Sequence, residues 1–240
     1  MGSEARAEVL QRVRAAMGPG AGASAAAIAE GWSAIPRGYR RAASMGREEI
    51  LEMLEDRLRD YDATVVRVEK GEVSEAIARM LRERGKRRLV VPAGLDEWLG
   101  RAMQVDYLPP IARETLEGPP GPPFEFVTDD GLAAAELDCF EGVVTGSTVA
   151  IAETGTIVLQ NVLGQGRRAA TLVPDYHLCV VRAEDVVETV PEAMDRLAAT
   201  AELATTFVSG PSATADIEMT RIKGVHGPRF LDVLLVGGQA

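Results

Sequence analysis

Apolar residues recur every three or four positions over residues 47–59, through Ile50, Leu51, Leu54 and Leu58, and again over 72–84, through Val73, Ile77, Met80 and Leu81. Each set falls on one face of a helix. Short β-branched runs at 64–68 and 89–93 read as buried strands between and after those helices. Further strands are predicted at 124–127, 150–152, 156–159, 178–181, 206–208 and 231–236, and further helices near 131–137 and 191–201. Helices alternating with short apolar strands predict an α/β domain built on a mostly parallel sheet flanked by helices.

The ends of the chain read differently. Residues 4–17 form an amphipathic helical pattern, with Val9, Leu10, Val13 and Met17 on one side. The Gly- and Ala-rich stretch 18–24 that follows cannot bury a core and reads as a linker or arm. Such a helix either docks on a partner or second subunit, or folds back on its own domain. The expected organisation is an N-terminal helix and flexible arm over 1–46, then one α/β domain over 47–240. The segment 109–123 holds six of the 13 prolines and is expected to be a surface loop.

Composition narrows the function. The net charge of -10 repels phosphate backbones, so nucleic acid is not an expected partner. The N-terminus has no apolar stretch of the secretory type, and no run reaches the ~20 apolar residues of a membrane span. Cys139 and Cys179 stand apart, read as small buried thiols, and cannot supply the four thiolates an iron–sulfur cluster usually takes. The expected setting is a reducing cytoplasm. The two histidines lack HxH or HExxH spacing, so no metal is expected. Neither a GxGxxG nor a GxxxxGK[ST] motif is present, and no cofactor is expected.

Candidate chemistry gathers between Glu141 and Arg229, in three glycine-bearing loops that follow apolar strands. The first is Glu153-Thr154-Gly155-Thr156, where a carboxylate, two hydroxyls and backbone amides meet; a plain hairpin turn explains the same residues. The second runs from Gly166, Arg167 and Arg168 to Asp175 and His177. The arginines suit a carboxylate clamp and the His–Asp pair suits acid–base work; the alternative is a solvated pair and a β-turn. The third is Ser209-Gly210-Pro211-Ser212-Ala213-Thr214-Ala215-Asp216, followed by His226. Its backbone amides suit an anion, and Ser212, Thr214 or Asp216 equally suits a helix cap.

Those segments, Ile151 to Leu159, Leu172 to His177, Gly210 to Glu218 and Gly224 to Pro228, resemble the LUD domain, and within it the lactate utilisation protein C family. The resemblance implies a NagB/RpiA/CoA-transferase-like fold. It also implies participation in oxidation of L-lactate to pyruvate beside two partner proteins that carry the iron–sulfur centres. On that footing three functions compete. One is a component of a lactate-oxidising complex that binds a small carboxylate or other anion. Another is a separate CoA-transferase-like enzyme with Glu153 as nucleophile. The last is a non-catalytic assembly module. Glu153, His177 and Asp175 are the candidate catalytic residues; Thr154, Gly155, Thr156, Arg167, Arg168, Ser212, Thr214, Asp216 and His226 are the candidate ligand contacts.

Overall fold

A computed structural model describes residues 2–17, 24–96, 124–214, 222–223 and 227–237. Asp216, His226 and the proline-rich segment lie outside the described residues. The chain divides into two compact units, Met1–Arg40 and Arg41–Ala240.

The first unit contains α1 (Gly2–Met17) and α2 (Ala25–Ala34). α2 occupies part of the stretch that composition reads as arm. Ser24 caps it, its hydroxyl accepting from the Ala27 amide at 3.2 Å. Val9, Val13, Met17, Ile28 and Trp32 are exposed.

The second unit begins with α3 (Arg47–Asp60), β1 (Thr64–Val68), α4 (Val73–Glu83), β2 (Arg88–Pro92), β3 (Glu125–Asp129) and the single turn α5 (Ala134–Leu137). It continues with β4 (Gly142–Thr145), β5 (Val149–Ile151), β6 (Thr156–Gln160), β7 (Tyr176–Arg182), β8 (Val186–Val187) and α6 (Val190–Leu197). β9 (Thr205–Val208), β10 (Ala213–Thr214), β11 (Ile222–Lys223) and β12 (Phe230–Val236) complete it. Six strands form a sheet in the order β1-β12-β7-β4-β2-β3, every neighbouring pair parallel. This is the α/β architecture with a mostly parallel sheet that the alternation predicts.

A second sheet, in the order β8-β5-β6-β9, is mixed, with β5-β6 and β6-β9 antiparallel. Side chains of β7 divide the core between the two faces of the large sheet, as strand geometry requires. Leu178 and Val180 pack on Ile77, Met80 and Leu81 of α4. Cys179 and Val181 face α3 and the small sheet, among Leu51, Leu54, Ile157 and Leu159. The opposite face of the small sheet buries Val149, Ile151 and Val158 against Ala193 and Leu197 of α6.

Candidate ligand-binding site

α3 does more than fill the core. Gly155 has φ +58°, and a Cβ there meets Arg57 Cβ at 2.7 Å and its carbonyl oxygen at 3.1 Å. Gly210 has φ +82° and lies against Tyr61, whose carbonyl oxygen is 3.0 Å from the position of a Cβ. Two glycines in the left-handed region therefore press two loops onto one helix end. The contact brings the first and third loops side by side: Thr156 Oγ1 is 2.8 Å from Ser209 Oγ, and Thr154 Oγ1 donates to Thr156 Oγ1 at 2.8 Å.

Beside Ser209 lies a cavity of about 210 Å³, lined among others by Arg168, Thr171, His177, Phe207, Ser212 and Leu231. The Ser212 amide donates to the Pro228 carbonyl at 2.8 Å, which holds the third loop over the cavity. His177 and Leu231 are the second residues of β7 and β12 and pair in register. The cavity thus sits at the amino ends of these parallel strands, not beyond the carboxyl ends where open α/β sheets usually bind ligands. The small sheet makes the difference: β9 runs its own carboxyl end, Val208, to the cavity and supplies a wall the large sheet lacks.

His177 is 2% exposed, and its Nε2 lies 2.8 Å from Thr145 Oγ1. Burial, then the nearby Arg168 charge, lowers its pKa to about 4, so the imidazole is neutral at physiological pH. Arg168 is exposed at the cavity edge. Its Nη1 donates weakly to Thr171, at 3.4 Å to the carbonyl oxygen and 3.3 Å to Oγ1. Among the described residues no carboxylate pairs with Arg168. A cation, a neutral imidazole and the hydroxyls of Ser209 and Ser212 make a surface complementary to a small carboxylate.

The remaining candidate residues fall elsewhere. Arg167 makes a bidentate pair with Asp129, two bonds of 2.8 Å, and also donates to the Leu132 carbonyl, so its guanidinium is committed to the β3 end. Asp175 pairs bidentately with Arg229 at 2.5 and 2.9 Å, which holds its carboxyl below the usual range and away from His177. The Glu153 turn is a hairpin between β5 and β6, and Glu153 is exposed on it, not among the cavity-lining residues. Thr214 ends β10. Sequence reasoning passes over Thr145, Thr171 and Ser209. Thr145 ends a strand of four residues, too short for its period to register. Ser209 stands within the third loop, but nothing in its spacing marks it off from Ser212.

The cysteines are unlike each other. Cys139 is exposed, which corrects the expectation of two buried thiols. The one turn of α5 leaves it at the surface while Leu137 and Phe140 take the interior. Cys179 is buried, and burial pushes its thiol up to about 12. An alkylating reagent at neutral pH is expected to modify one cysteine in the folded chain and both after denaturation, with Cys139 the early site by mass. Early labelling of Cys179 contradicts the burial.

The LUD domain family model matches residues 51–236. The chain belongs to the LUD domain family. A lactate utilization protein C of Deinococcus radiodurans is 43% identical over 202 residues, 83% of this chain and 85% of that protein. Lactate utilization protein C of Bacillus pumilus is 26% identical over 96% of both chains. The crystal structure of a DUF162 family protein from Deinococcus radiodurans superposes with a TM-score of 0.62 at 38% identity, covering 81% of this chain and 100% of that one. The matched LUD region begins in α3 and ends with β12, so it contains all three sheets, β10-β11 included, and the whole cavity lining. No helix among the described residues is long and apolar enough to cross a membrane.

Proposed function

We propose that this LUD protein is the ligand-holding, non-redox component of a cytoplasmic system that oxidises L-lactate to pyruvate, with iron–sulfur proteins as its partners. The observation that carries the reading is Arg168, without a carboxylate partner among the described residues, beside neutral His177 in one small cavity. Lactate and pyruvate are small carboxylates, and an arginine edged by hydroxyls suits them. The names of the related proteins support the same substrate class. Electron transfer falls to the partners, because two cysteines, one sealed in the core, do not provide a cluster site. Acyl transfer through Glu153 finds less support, since that carboxylate lies on an exposed hairpin apart from the cavity lining.

Three measurements test the proposal. The tagged full-length chain, recovered from its own cells grown on L-lactate, is expected to bring iron–sulfur proteins with it. Titration of the purified chain with L-lactate or pyruvate is expected to shift the resonances of His177 and Arg168. Normal growth on L-lactate of a strain lacking this chain and any close copy, or the absence of binding by both acids, overturns the reading.

A further inference from the structure

Behind His177 a line of hydrogen-bonding groups runs into the core. Thr145 Oγ1 lies 2.8 Å from His177 Nε2 and donates to Cys179 Sγ at 3.7 Å; Cys179 Sγ in turn donates to the Gly146 carbonyl oxygen at 3.6 Å. Thr145 and Cys179 are sealed from solvent, and His177 keeps only 2% exposure. A carbonyl oxygen only accepts, and that fact sets a direction for the line. The thiol hydrogen goes to Gly146, the hydroxyl hydrogen of Thr145 goes to the sulfur, and the Thr145 oxygen is left to accept from Nε2–H. Reversing the first link spends the Thr145 hydrogen on Nε2 and leaves both the sulfur and the Thr145 oxygen without a donor.

The other ring nitrogen lies on the cavity side. His177 lines the cavity, and Nδ1 has no partner among the described residues. It is not a sealed, unsatisfied atom either, because among the described residues every buried side-chain nitrogen or oxygen has a partner. Nδ1 therefore opens on the cavity. Arg168 edges the same space, and its positive charge favours a lone pair there over an N–H.

We propose that the Thr145–Cys179–Gly146 line holds His177 as its Nε2–H tautomer, presenting the Nδ1 lone pair to the cavity and selecting a 2-hydroxy acid over the matching 2-oxo acid. The ligand half of this inference rests on the function proposed above; the tautomer half does not. A 2-hydroxy acid places its carboxylate on Arg168 and donates its hydroxyl hydrogen to Nδ1. A 2-oxo acid sets a carbonyl lone pair against the Nδ1 lone pair and leaves both unsatisfied, the kind of mismatch binding sites reject most strongly. Thr145 and Cys179 are positioning residues, acting on the ligand through the ring.

The chain has only two histidines, so nitrogen and carbon NMR of the labelled full-length protein reads the tautomer directly, with His226→Gln separating the signals. His177 is expected as Nε2–H in the unliganded protein, and an Nδ1–H tautomer overturns the proposal. Cys179→Ala removes the acceptor that takes the Thr145 hydrogen, frees that hydrogen for Nε2, and is expected to turn His177 to Nδ1–H. Cys179→Ser, which restores an acceptor and a donor, is expected to return it to Nε2–H. A tautomer unmoved by Cys179→Ala overturns the relay and reduces Cys179 to packing.

Calorimetry with L-lactate and pyruvate reads the selection. The wild type is expected to bind L-lactate about tenfold tighter, and Cys179→Ala to abolish or invert that ratio. Equal binding of the two acids by the wild type overturns the selection while leaving the carboxylate site intact. Binding of neither, with Nε2–H observed, overturns both the selection and the proposed function and leaves the tautomer standing.

Discussion

Arg168→Met is expected to weaken binding of L-lactate roughly 30-fold, about 2 kcal/mol, the range for hydrogen bonds to a charged group. The same change is expected to leave thermal stability nearly untouched. Arg168 is exposed, its contacts with Thr171 are long, and it has no ion-pair partner among the described residues. Exposed substitutions of that kind usually stay within about 0.5 kcal/mol. This separation of binding from folding distinguishes a ligand cation from a structural one. Arg167→Met is expected to show the opposite profile, with stability lost through Asp129, which is 2% exposed at its side chain, and ligand affinity kept. Arg168→Met also removes one of the two influences that depress the His177 pKa, so that pKa is expected to rise from about 4 and remain below its ordinary value, held by burial. Calorimetric titration and a thermal melt on each variant check binding and stability, and an NMR pH titration of His177 checks its pKa. If Arg168→Met melts early or binds L-lactate as well as the wild type, the carboxylate clamp is wrong.

The largest loss of stability is expected from Gly210→Ala. A non-glycine residue in the left-handed region costs about 1–2 kcal/mol, and forcing a methyl group against Tyr61 adds overpacking of about 1–3 kcal/mol. The sum, about 3 kcal/mol, corresponds to a fall in Tm of roughly 10 °C for a domain of this size. Gly85→Ala is the control. Gly85 shares the left-handed conformation, φ +65°, but nothing lies within 4 Å of its Cβ position. It is expected to lose only the backbone part, about 1 kcal/mol. Similar melting curves for the two variants contradict the close approach of the third loop to α3. Relief of the clash shifts Ser209 away from Thr156, so Gly210→Ala is also expected to lose affinity for L-lactate, whereas Gly85→Ala keeps it.

Both predictions depend on contacts that no stretch of sequence announces. Periodicity along the chain is a local quantity, and the features it governs are readable from the sequence alone. The stripe of Ile50, Leu51, Leu54 and Leu58, the runs around Val65, Val90 and Val180, and their alternation identify helices, strands and a parallel sheet. The four motifs, three of them glycine-bearing, likewise identify the family. Length limits this legibility: β4, β8, β10 and β11, of two to four residues each, are too short to show a period, yet β4 carries the Thr145 contact, β8 edges the second sheet, and β10 and β11 pair with each other.

Which polar residues meet is a different matter, because it depends on pairs more than thirty residues apart. Arg167 and Arg168 are adjacent and chemically identical, yet Asp129 takes one and the cavity receives the other. Asp175 stands two positions from His177 but is drawn off by Arg229, fifty-four residues on. Ser209 reaches the site because two left-handed glycines dock separate loops on one end of α3. Sequence by itself determined the α/β architecture, the LUD family and the residue types available for an anion. Tertiary structure alone decided that the cavity opens at the amino ends of β7 and β12 and that Arg168, not Arg167, faces it. The physical reason is that helical and strand periodicity follow from neighbours along the chain, whereas ion pairing and close backbone approach are settled by whichever distant group folding brings within a few ångströms.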